Sequence, residues 1–277
     1  MNQISIFEGS QPLLADKPIR LIELFAGIGS QAKALENLGA DFEHYRVCEY
    51  DKYAVASYNA IHGTAFEPSD ITKLSGDDLG IEETDKYTYI MTYSFPCQDL
   101  SLAGKQRGMA KGDSTRSGLL WEVERLLTET KELPQILLME NVPQVVAEKN
   151  IKDFAMWVKF LEGLGYTSKY KVLNAKDFGI PQNRERCFMM SWLGDHYYDF
   201  PTPIPLKPRL KDMLEDNVDE KYYLPGSTVK ALMEHRERNK MAGNGFGWRP
   251  VHEEDVVHAL VTAADKSNSN YLIENEL

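Results

Sequence analysis

Apolar and polar positions change rhythm several times along the chain, and those changes divide it into elements. Ile19-Arg20-Leu21-Ile22-Glu23-Leu24 reads as a first strand. The turn Phe25-Ala26-Gly27-Ile28-Gly29-Ser30 then leads into a helix whose apolar positions include Ala34, Leu35 and Leu38, ending at Gly39. Tyr45-Arg46-Val47-Cys48 reads as a second strand, and Asp51 behind it suits the N-cap of a helix. Tyr89-Ile90-Met91-Thr92-Tyr93, β-branched and aromatic, predicts a buried strand. Residues 119–131 place Leu119, Leu120, Val123, Leu126 and Leu127 at helical spacing, and Pro134 stops that pattern. Ile136-Leu137-Leu138-Met139 is apolar throughout, as a strand buried on both faces should be. An amphipathic helix over 151–164 and strands over 168–173 and 186–192 complete the series.

Strands alternating with helices predict an α/β architecture, in which the loops after the strands' carboxyl ends carry the reactive groups. Residues 1–17 read as a flexible leader, with Pro12 and Pro18 as breaks. A main domain over 18–194 follows. Pro201, Pro203, Pro205 and Pro208 then mark a linker that opens a smaller region over 195–277. A chain of 277 residues suits one large α/β domain with such an appendage. It has no apolar run of membrane-spanning length and no signal-peptide pattern.

Three cysteines, Cys48, Cys97 and Cys187, lie far apart, which argues for a reducing cytoplasm and against disulfides or a metal site. The net charge of −11 opposes tight non-specific binding to nucleic acid. It leaves room for a local basic cleft, because Lys105, Arg107, Lys111 and Arg116 cluster, as do Lys207, Arg209 and Lys211.

Candidate chemistry gathers at the strand ends. Ser94-Phe95-Pro96-Cys97-Gln98 follows the strand at 89–93, so Cys97 is either a loop nucleophile or a small buried hydrophobe. Glu140 follows four apolar residues, a costly place for a carboxylate unless it is paired or working. Gly27 and Gly29 would let a ligand approach the backbone at a helix start. Glu49 follows the second strand at roughly the 20-residue distance from that turn at which an acid can take ribose hydroxyls.

The string Ser-Phe-Pro-Cys-Gln-Asp-Leu-Ser-Leu-Ala-Gly-Lys-Gln-Arg-Gly, beginning at Ser94, resembles the catalytic loop of the DNA cytosine-5 methyltransferases of phage and bacterial type. Phe-x-Gly-x-Gly from Phe25, Glu140-Asn141-Val142 and Gln182-Asn183-Arg184-Glu185-Arg186 resemble further blocks of that family, in its order, from about Leu21 to about Phe188.

The resemblance implies a Rossmann-like core: a mixed, mostly parallel seven-stranded sheet with helices on both faces, plus a small, reduced C-terminal recognition region. It implies S-adenosylmethionine as cofactor, held by Phe25, Gly27, Gly29, Ser30, Glu49, Tyr50, Asp70, Ile71 and Pro96. Double-stranded DNA would be the partner, contacted by Gln98, Ser101, Lys105, Arg107 and Arg116. Cys97, Glu140, Arg184 and Arg186 would be catalytic. Cysteine attack on C6 of a flipped-out cytosine would precede methyl transfer to C5, the chemistry of DNA methylation in restriction–modification systems.

Departures come at the two ends. Gly243-Asn244 invites comparison with the family's closing Gly-Asn block, but its flanks read as part of the recognition region, and the last two blocks are not recognised before Leu277. That motivates another reading, a truncated or split chain that binds cofactor or DNA but needs a partner chain for turnover. A third, an RNA cytosine methyltransferase, is implied by a branch of the family that acts on tRNA, and Pro96-Cys97-Gln98 leans against it. Gln3-Ile4-Ser5-Ile6-Phe7 resembles a sliding-clamp docking peptide, in which Ile6 and Phe7 would fill an apolar pocket.

Overall fold

The computed structural model describes residues 17–97, 100, 108–109, 117–243, 249–259 and 270–272. The leader with the peptide at Gln3 to Phe7 lies outside them. The chain divides into two units, Met1–Val172 with Arg186–Pro201 and Leu173–Glu185 with Thr202–Leu277.

In chain order the elements run β1 (Ile19–Leu24), α1 (Ser30–Asn37), β2 (Phe42–Cys48), α2 (Lys52–His62), β3 (Thr88–Tyr93), α3 (Leu120–Glu129) and β4 (Ile136–Asn141). There follow α4 (Ile151–Gly163), β5 (Tyr166–Asn174), β6 (Gln182–Asn183), β7 (Glu185–Leu193), α5 (Gly226–Met241), β8 (Arg249–Val251), β9 (Val257–His258) and β10 (Asn270–Leu272). The main sheet has the order β2-β1-β3-β4-β7-β5. Its β1–β2, β1–β3 and β3–β4 pairs are parallel, and β7 runs antiparallel to β4.

Successive residues of a strand face opposite sides of the sheet, and the core divides accordingly. Ile22 and Leu24 of β1 join Met91 and Tyr93 of β3 in the larger cluster, which takes in Leu120, Val123, Leu126 and Leu127 of α3 and Phe154, Trp157 and Leu161 of α4. Leu21 faces the other way, into a smaller cluster with Ala32 of α1 and Tyr58 of α2. Helices therefore cover both faces. Trp157 and Tyr93 are fully buried, and the indole Nε1–H donates to the Tyr93 hydroxyl at 3.1 Å, so neither polar group is orphaned.

Local signals explain several boundaries. Asp51 caps α2 by accepting from Tyr53 N–H at 2.8 Å, and Gly63, at φ 66°, ends it in the left-handed conformation. The spacing in 119–131 yields α3, although its first turn is a short 3-10 segment over Ser117–Leu119 and the helix stops at Glu129. Leu38 is the C-cap of α1 and is 49% exposed, so it contributes to no core. The second strand begins at Phe42, earlier than its sequence pattern predicts, because Ile19, Arg20 and Leu21 pair with Phe42, Glu43 and His44. β2 is a half-exposed edge strand whose polar residues hide the alternation.

The sheet has six strands among the described residues, where the sequence reading expected seven. No strand forms between α2 and β3. Pro68 lacks the N–H that a ladder needs, and Asp70 instead caps a 3-10 turn over Ile71–Lys73.

In the second unit β6 pairs in parallel with β9, and β8 with β10. Asn174, almost fully buried, organises the entry to β6. Its Oδ1 accepts from Lys176 N–H at 3.3 Å and Arg184 N–H at 3.1 Å, and its amide donates to Asn183 Oδ1 at 2.7 Å. α5 buries none of its residues. No helix among the described residues is long and apolar enough to cross a membrane.

Candidate active site

The turn after β1 is held in a conformation that most side chains avoid. Phe25 has φ 58°, and Gly27 and Gly29 have φ 57° and 80°. A non-glycine residue in that region costs about 1–3 kcal/mol and persists only where its surroundings enforce it. Here Phe25 N–H donates to the Cys48 carbonyl at 2.7 Å, binding the turn to the end of β2. Glu49 extends that link. One of its carboxylate oxygens accepts from Gly27 N–H at 2.9 Å and the other from Asp51 N–H at 2.8 Å. A Cβ built on Gly27 would meet nothing within 4 Å, so the turn faces open space there.

Ser30, exposed, opens α1, whose N-cap Gly29 provides no side-chain cap. The Tyr50 ring is 78% exposed beside Glu49. Ser69 N–H donates to the Glu49 carbonyl at 2.8 Å, which brings Asp70 to the same sheet edge. Thr72 donates to the Asp70 carboxyl from its hydroxyl at 2.8 Å and its N–H at 3.0 Å, and these bonds hold that carboxyl below its ordinary range. Ile71 is buried in the main core.

The second group assembles from three strands. Tyr93 of β3 lies beside Met139 of β4, so the loop carrying Cys97 and the end of β4 carrying Glu140 leave the sheet at one edge. β7 is antiparallel, with Cys187 beside Asn141, so its early residue Arg186 arrives at that edge as well. Arg186 Nε stands 2.8 Å from Glu140 Oε1, and both side chains are about one-fifth exposed. The pair answers the cost of placing a carboxylate after four apolar residues.

Buried bonds fix the cysteine loop. Phe95 is 2% exposed, and the Asn141 amide donates to its carbonyl at 2.9 Å. The Pro96 carbonyl accepts from the Ser117 hydroxyl at 2.8 Å, and Leu100 N–H donates to the Cys97 carbonyl at 3.0 Å. Gln31 of α1 donates to Ser94 Oγ at 3.0 Å, tying this loop to the glycine turn's helix. Cys97 is half-buried at the border of the core, whereas Cys48 and Cys187 are buried. Burial pushes the Cys48 thiol up, and it pushes Cys187 up to about 12, with the nearby Glu140 charge adding to the effect.

Gln98, Ser101, Lys105, Arg107 and Arg116 lie outside the described residues. Arg184 belongs to the second unit, where its carbonyl accepts from Ala175 N–H at 3.0 Å. Asn141 has no role predicted from sequence, although it sits inside a block already singled out. Nor does the sequence pattern mark the set Glu23, Glu36, His44, Tyr58 and His62 behind the glycine turn. The one available signal was Glu23, a charged residue in the middle of an otherwise buried strand.

Comparison with known proteins places the fold and the family. The chain shares its fold with the crystal structure of S. pombe Dnmt2 methyltransferase, at a TM-score of 0.71 and 19% identity, covering 94% of this chain and 77% of that one. By sequence, residues 19–275 match the family described as C-5 cytosine-specific DNA methylase. The type II methyltransferase M.NlaX of Neisseria lactamica is 35% identical over 257 residues, covering 92% of this chain and 79% of that protein. The type II methyltransferase M.HpaII of Haemophilus parainfluenzae is 30% identical over 286 residues, covering 99% and 75%. The chain belongs to the C-5 cytosine-specific DNA methylase family: it is a DNA (cytosine-5-)-methyltransferase, and S-adenosylmethionine is its methyl donor.

Proposed function

We propose that methylation proceeds through a covalent adduct between Cys97 and a cytosine turned out of the DNA duplex. Cytosine C5 is a weak nucleophile in the resting base. Attack of the Cys97 sulfur on C6 opens the C5–C6 double bond and makes C5 enamine-like. The electron pair displaced towards N3 and O2 must be met there. A proton reaches N3 by way of the Glu140 carboxyl, and Arg186, paired with Glu140, orients that carboxyl and stabilises charge at O2. The methyl donor's sulfonium supplies the methyl group to C5. C5 then loses its hydrogen as a proton, the C5–C6 double bond re-forms and the Cys97 thiolate leaves. A base stacked in a duplex cannot present C6 to a sulfur from the side, which is the reason for flipping.

The donor fits the glycine turn. Open space over Gly27, the start of α1 at Ser30, the Glu49 carboxylate and the exposed Tyr50 ring form a set suited to an amino acid, a ribose and an adenine. Phe25, Gly29, Asp70, Ile71 and Pro96 border the same sheet edge. We assign 18–194 to catalysis and 195–277 to recognition of the DNA target.

The observation that carries this reading is the Arg186–Glu140 pair at 2.8 Å, on strands that share one sheet edge with the Cys97 loop. The test is covalent trapping on duplex DNA containing 5-fluorocytosine, whose C5 has no hydrogen to lose. The parent protein should form a denaturant-stable complex that needs both donor and Cys97. Equal trapping by Cys97→Ser would overturn the assignment.

A further inference from the structure

Behind the glycine turn, on the face of the sheet covered by α1 and α2, five side chains gather in two hydrogen-bonded groups, Glu23–Tyr58–His44 and Glu36–His62. Glu23 of β1 is 0% exposed and accepts from the Tyr58 hydroxyl at 2.6 Å and from Ala32 N–H at 3.3 Å. The same hydroxyl lies 2.7 Å from His44 Nδ1. Glu36 Oε1 lies 2.7 Å from His62 Nδ1 and 3.8 Å from His44 Nε2, while Lys33 Nζ is 2.8 Å from Glu36 Oε2. His62 Nε2 then reaches the carbonyl oxygen of Ile28, inside the turn itself, at 3.1 Å.

Glu36, His44 and His62 bring ligand-type atoms within 4.8 Å of one another, a grouping that could suggest a metal ion. Two contacts oppose it. The Lys33 ammonium on Glu36 repels a cation, and the other Glu36 oxygen is already taken by the His62 ring. Lys33 first, and then His62, hold the Glu36 carboxyl down to about 2, so it is an anion at neutral pH. The Ile28 carbonyl can only accept, so the His62 ring holds it by donating from Nε2.

The turn also rests on this ring. The His62 side chain is 0% exposed, and a Cβ on Gly29 would stand 2.3 Å from its Nε2 and 2.6 Å from a Tyr58 ring carbon. Only glycine allows so close an approach at φ 80°. Burial pushes the Glu23 carboxyl and the Tyr58 hydroxyl up and His44 down. Those three groups thereby favour their neutral forms, and the ion pair here is left to Lys33 and Glu36.

We propose that His62, held by Glu36, is a positioning residue for the methyl donor: it pins the Ile28 carbonyl and so fixes the peptide between Gly27 and Gly29 before the donor arrives. This rests on the assignment of the glycine turn to the donor. Without the pin, a segment flanked by two glycines samples other conformations, and binding must reorder it. The effect falls on donor affinity and not on the chemical step.

The test is calorimetric titration of S-adenosylmethionine into the full chain and its His62→Leu, His62→Gln and Glu49→Ala variants, with melting temperature as a check on folding. His62→Leu should weaken the donor roughly tenfold, the scale of one lost hydrogen bond. His62→Gln, whose amide still donates to the Ile28 carbonyl, should recover most of that loss. At saturating donor the turnover of His62→Leu should stay within a few-fold of the parent. Unchanged affinity in His62→Leu, or equal losses in the Leu and Gln variants, overturns the proposal. Unchanged affinity in Glu49→Ala overturns instead the assignment of the turn to the donor. If His62→Leu does not fold, Glu36→Gln takes its place, with weaker donor binding expected and parental affinity counting against the pin.

Discussion

Gly27, Glu49 and Asp51 are joined directly by backbone-to-carboxylate bonds between the ends of two neighbouring strands. Cys97, Glu140 and Arg186 come instead from the ends of β3, β4 and β7, far apart in the chain and gathered only by the order of the sheet. The first group is local and depends on backbone conformation. The second is non-local and depends on strand pairing, one ion pair and the Asn141 tether to Phe95. Damage to the first should therefore appear in donor binding, and damage to the second in turnover.

Cys97→Ser cuts this comparison most deeply. Turnover should fall by several orders of magnitude, as when a covalent nucleophile is removed, while calorimetry finds donor affinity unchanged within a few-fold. Glu140→Gln comes next. Its amide still donates a hydrogen bond but cannot relay a proton, so single-turnover rates should drop about 10²–10⁴-fold with donor affinity preserved. Loss of donor binding in Glu140→Gln would erase the distinction between the two groups. Glu49→Ala should do the opposite. Its dissociation constant for the donor should rise about 10- to 100-fold, the scale of hydrogen bonds to a charged group, with little change in rate at saturation.

The smallest perturbation is chemical. Brief alkylation with iodoacetamide at neutral pH should label Cys97 alone, because burial holds the Cys48 and Cys187 thiols protonated and out of reach. Mass spectrometry finding Cys187 labelled at a comparable rate would mean that the β7 end of the site is open, contrary to its packing against β4.

Much of the core was legible because its strands are simple signals. The 19–24 run and the helical spacing at 120, 123, 126 and 127 produce β1 and the buried face of α3 through burial alone. The half-exposed β2 was harder, since an edge strand with one solvated face carries charges that mask its period. The missing strand after α2 was already weak in the sequence, and Pro68 with the Asp70 cap accounts for its absence.

What the sequence by itself determined is the class of chemistry, together with a set of candidate groups for it. Cysteine on a loop after a buried strand, a carboxylate after four apolar residues and glycines at a strand-to-helix turn are each costly choices that local chemistry makes readable. Tertiary structure alone decided how those groups meet. The antiparallel entry of β7, which carries Arg186 to Glu140, depends on which strands pair, and long-range pairing leaves no periodic trace in the chain. The same holds for the set behind the glycine turn. Glu23, Glu36, His44, Tyr58 and His62 lie on two strands and two helices, and their spacing says nothing until the sheet face that packs against α1 and α2 brings them within hydrogen-bonding distance.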